Sequence, residues 1–80
     1  MNYIPQGLSK QSKKIWHCLW EHSPKFVDAK ALAEKLGGER TGKPISDAVY
    51  KLEHGLENEA WMIRHSYSRG EYALVPRQIN

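Results

Sequence analysis

The side chains able to do chemistry in this chain are cations and hydroxyl-bearing aromatics. Ser46, Tyr50 and His54 recur every four residues, with Lys51 beside them, so one side of a helix would carry all four. Such side chains donate to base edges and attract phosphate. Arg64, Tyr67 and Arg69 cluster around Gly70, the place for an exposed turn whose arginines reach phosphate or a minor groove. Lys30, Arg40 and Lys43 precede the first group and supply further positive charge. Phosphate attraction with base-edge hydrogen bonding is the chemistry these types and spacings support.

Other chemistries lack their residues. His17 and His22 are five apart, whereas two ligands on one helix face need a spacing of three or four. His54 and His65 stand alone, and no cysteine pair accompanies them, so no metal site is expected. No Ser/His/Asp arrangement, glycine-rich phosphate loop or carboxylate pair stands out; neither an enzyme nor a cofactor is expected. Cys18 is the single cysteine and cannot close an internal disulfide, which points to a reducing cytoplasm. No apolar run approaches the roughly 18 residues of a membrane span. Residues 1–10 lack the basic start and apolar run of a secretory signal.

The elements that must position these residues follow from length and periodicity. Eighty residues, 40% hydrophobic and 26% charged, suit one small globular domain. The net charge is +3, unevenly spread: residues 1–43 hold eight Lys/Arg against four acids, and residues 44–80 hold four against five. Residues 1–8, with Pro5 and Gly7, read as an irregular lead-in, residues 9–76 as the domain and residues 77–80 as a tail. Ser9 or Ser12 caps a first helix to about Glu21, with Ile15, Cys18 and Leu19 on its core face and Trp16 and Trp20 beside it. Phe26 and Val27 form an extended bridge, and Asp28 caps a second helix over residues 29–36, stopped by Gly37 and Gly38. Ile45, Val49, Leu52 and Leu56 stripe a third helix that begins near Pro44 and runs to about Asn58, with Gly55 weakening its end. Residues 61–67 and 72–75 alternate as strands around a turn at 68–71, a β-hairpin.

Three helices followed by a two-stranded hairpin form an α+β class, the plan of a winged helix-turn-helix with a three-helix bundle and a β-hairpin wing. Residues 28–37 resemble the first helix of a helix-turn-helix pair, and residues 45–52 with Leu56 resemble a recognition helix. Val49, Leu52, Leu56, Ile63, Arg64, Gly70 and Tyr72 together resemble the OmpR-type effector domain of response regulators. That pattern here lacks the family's receiver domain and N-terminal sheet. Glu53 stands where a basic residue is usual, and Glu71 is one residue extra in the wing.

The resemblance implies sequence-specific binding of double-stranded DNA by a small transcriptional regulator. Its third helix would lie in the major groove and its wing on the backbone or minor groove. A protein this small gains affinity as a dimer; Trp16 and Trp20 on the first helix read as part core and part lid, or else as a homodimer contact. The acids Asp47, Glu53 and Glu57 motivate the alternative, a protein-interaction adaptor in a larger assembly with little DNA binding.

Overall fold

The computed structural model describes residues 3–37 and 45–77. Ser9 is the cap that starts the first helix, α1 (Lys10–His22): its Oγ accepts from the Ser12 N–H at 3.1 Å. Ser12 instead turns inward, buried, with its Oγ accepting from the Ser9 hydroxyl at 3.1 Å. The helix stops at Ser23, whose Oγ donates to the Leu74 carbonyl at 2.6 Å and ties this corner to the last strand. A two-residue strand, β1 (Val27–Asp28), follows. Asp28 then caps α2 (Ala29–Lys35), its Oδ1 accepting from the Ala31 N–H at 2.7 Å. The third helix, α3 (Ile45–Gly55), leads to β2 (Trp61–Ser66) and β3 (Glu71–Pro76).

The described residues thus form a mixed α+β fold of three helices and a three-stranded antiparallel sheet in the order β1-β3-β2. The two-stranded hairpin expected from the sequence gains a third strand, because Val27 pairs with Tyr72 and Asp28 with Glu71. A two-residue strand leaves no readable alternation, which is why only its extended character was legible. The hairpin register sets Ile63 opposite Leu74 and His65 opposite Tyr72, so these four share the face turned to the helices. Tyr67 falls in the connecting loop rather than in β2, and β3 begins at Glu71 rather than after it.

One core joins the layers. Ile15, Leu19, Leu32, Val49, Leu52, Leu56, Ile63 and Leu74 are all buried, joined by Trp16, Cys18, Val27, Ile45 and Ala48. Each large aliphatic side chain contributes roughly 1.5–3 kcal/mol by leaving water. Leu36, which follows the same period, stays half-buried at the rim. The helical stripe of α3 ends at Gly55, short of Asn58, and Leu56 enters the core from the turn that follows. Gly55 has a packing reason: a Cβ there would lie 2.6 Å from Leu8 Cδ2.

The lead-in is part of the packing, and it draws Trp16 wholly into the core. Pro5 and Leu8 are buried, and the Trp16 Nε1–H donates to the Tyr3 carbonyl at 2.6 Å. Trp16 is 0% exposed, stacked on Trp20 at 5.3 Å and met edge-on by Tyr3. Trp20 continues the series to Trp61 at 5.0 Å. Trp16 therefore offers nothing to a second copy, while Trp20 stays half-buried at the edge of the core. No helix among the described residues is long and apolar enough to cross a membrane.

Candidate nucleic-acid interface

The inward stripe of α3 fixes what its other side presents. Burial of Ile45, Ala48, Val49 and Leu52 leaves Ser46, Asp47, Tyr50, Lys51 and His54 exposed. Tyr50 is 64% exposed and meets the His54 ring edge-on at 5.3 Å. His54 Nδ1 lies 3.5 Å from Glu57 Oε1, both well exposed. A phenol, an ammonium, a hydroxyl and an imidazole on one helix side can donate to phosphates and base edges.

Glu53 borders that outward group, lining an open groove with Tyr50, His54 and Glu57. Its Oε1 is 2.8 Å from His65 Nε2, so the carboxylate is held between α3 and β2, partly covered. This contact is the link that joins helix to hairpin. Sequence patterning missed it because the partners are twelve positions apart on different elements. An acid in the last turn of the helix and a histidine on the inward side of the following strand are the signals that would have found it.

Past His65 the hairpin projects. The Tyr67 ring stacks on the His65 ring at 5.2 Å and 14°, and Tyr72 meets His65 edge-on from the opposite strand. Tyr67 is nevertheless 86% exposed. Burial raises the Tyr72 phenol pKa, with the neighbouring Tyr67 and Glu53 adding to the effect. Gly70 takes φ +64°, the left-handed geometry that closes the loop after the exposed Arg69. The Ala29 N–H donates to the Gly70 carbonyl at 2.9 Å, which seats the first turn of α2, and with it the exposed Lys30, against the hairpin tip.

The sequence-derived residues therefore divide. Ser46, Tyr50, Lys51 and His54 share the exposed side of α3, while Tyr67 and Arg69 occupy the hairpin tip with Lys30 beside it. Arg64 is separated from both: paired with Ala73, it lies on the outer face of the sheet, where it lines an open groove with Met62, Val75, Pro76 and Arg77. Strand alternation sends Arg64 away because its neighbours Ile63 and His65 face the helices. Arg40 and Lys43 lie outside the described residues.

Arg77, assigned from the sequence to the tail, instead closes the fold. Its side chain donates to the carbonyls of Leu56 at 2.9 Å and Glu59 at 3.1 Å, a cation on the chain just past the end of α3. Among the described residues, no group of three metal-ligating side chains comes together. No protein family, curated protein or solved structure matches this chain.

Proposed function

We propose that the protein is a winged helix-turn-helix module that binds double-stranded DNA, with α3 in the major groove and the β2–β3 hairpin as the wing on the backbone. The order α1-β1-α2-α3-β2-β3 with a β1-β3-β2 sheet supports the fold part of this reading. The Glu53–His65 contact is the observation that carries the functional part. It engages one of the acids at the edge of the face that would meet phosphate, and it ties the hairpin to the helix. Lys51 and Tyr50 then read base edges while Lys30 and Arg69 set the register through phosphates. Transcriptional regulation is the role this activity fits.

Asp47 and Glu57, exposed on and just after α3, favour a second reading as a protein-interaction adaptor. Fluorescence anisotropy with a labelled duplex across a salt series separates the two. DNA binding gives an affinity that falls linearly with the logarithm of salt concentration, and an adaptor gives no saturable binding even at low salt.

A further inference from the structure

The hairpin tip carries a feature that grip on a duplex backbone does not need. Phosphate contact needs a hydrogen-bond donor, and Arg69 already supplies a charged one. Tyr67 adds a large ring that is 86% exposed, lying nearly parallel to the His65 ring but offset from it, with centroids 5.2 Å apart at 14°. His65 is fixed in turn by Glu53 at 2.8 Å and by the edge of Tyr72 at 5.3 Å. The ring therefore has a neighbour that favours one orientation, and most of its surface is open to solvent. Cations flank it, Arg69 two residues on and Lys30 one residue from the Ala29–Gly70 hydrogen bond. The acids nearby are Glu53 on the far side of His65, Asp28, whose Oδ1 caps α2, and half-buried Glu71.

A supported aromatic face between cations is the chemistry that takes an unpaired base and its adjoining phosphates, since every base has a π-face and stacking tolerates any sequence. We infer that Tyr67, backed by His65, is a base-stacking platform, so that the preferred ligand carries a junction between duplex and single strand. The duplex would occupy α3 while the first unpaired base lies on the free face of Tyr67, with Arg69 and Lys30 on the flanking phosphates. This inference rests on the nucleic-acid reading of the same surface.

The test compares a labelled blunt-ended DNA hairpin with the same hairpin extended by a short overhang whose first unpaired base is 2-aminopurine. The wild-type protein should bind the overhang probe about fivefold or more tightly, the lower limit for one base–aromatic stack, and should quench the 2-aminopurine. Tyr67→Ala should abolish both the preference and the quenching, so that it binds the overhang probe no more tightly than the blunt hairpin. Tyr67→Phe should retain both. Equal binding of the two probes by the wild-type protein, or an unchanged preference in Tyr67→Ala, would overturn the platform and leave duplex binding standing. Failure of the wild-type protein to bind either probe would overturn both.

Discussion

Glu53 Oε1 and His65 Nε2 meet at 2.8 Å across the gap between the third helix and the second strand. The contact places an acid and an imidazole where one satisfies the other, partly shielded from water. Its consequence is geometric: the strand carrying His65 cannot tilt away from α3 without breaking a hydrogen bond. Tyr67 stacks on that same His65, so the hairpin tip inherits its position from the helix.

The first prediction concerns the acids of α3. Because Glu53 is already engaged, Glu53→Gln should leave duplex affinity within about twofold. Asp47 is exposed on the side proposed to face DNA, so Asp47→Asn should tighten binding several-fold, with the effect fading as salt rises. Anisotropy titrations at two salt concentrations check both. The reverse order of effects would put Glu53, not Asp47, at the interface.

The second prediction concerns the core. Leu52 is 0% exposed at the centre of the α3 stripe, and Leu52→Ala should cost roughly 2–5 kcal/mol, a large part of a small domain's stability. His54→Ala, two residues on and on the open side, should change stability by less than about 0.5 kcal/mol. Urea unfolding followed by tryptophan fluorescence measures the contrast.

The periodic elements were legible because period is a local property. Ile45, Val49, Leu52 and Leu56 announce their buried side by spacing alone, and Asp28 and Ser9 are caps by type. The third strand, the buried Trp16 and the Glu53–His65 link were not legible, since each depends on a partner far along the chain. Trp16 shows this most clearly. A tryptophan beside the core stripe reads as partly exposed until Tyr3, thirteen residues away, closes over it and accepts its indole proton. Arg64 was misplaced for a related reason: its nearness to Gly70 in sequence suggested the tip, whereas strand alternation turns it to the outer face.

The third prediction concerns alkaline pH. The buried Tyr72 phenol has a pKa above its ordinary value of 10.0, because burial disfavours the phenolate. The folded state then holds its proton more tightly than the unfolded state does. The resulting stability is fully present below the unfolded pKa and is lost as pH rises through the folded one. Melting temperature should therefore fall above about pH 10, and Tyr72→Phe should lessen the fall while leaving stability at neutral pH little changed. A decline of equal steepness in Tyr72→Phe would assign the loss to other groups.

The central claim is that α3 and the hairpin bind DNA together, and the salt dependence of binding by paired variants tests it most directly. The measurement is the dissociation constant for a selected duplex and for random duplex, across a salt series, for the wild-type protein, Arg69→Ala and Lys51→Ala. Arg69→Ala should weaken both duplexes alike and flatten the logarithmic salt slope by about 0.9, the value of one phosphate contact. Lys51→Ala should weaken the selected duplex more than the random one, by up to about 1–3 kcal/mol if its ammonium meets a guanine edge. Absence of duplex binding at low salt, or slopes and affinities that neither variant alters, would contradict the account and leave the adaptor reading in its place.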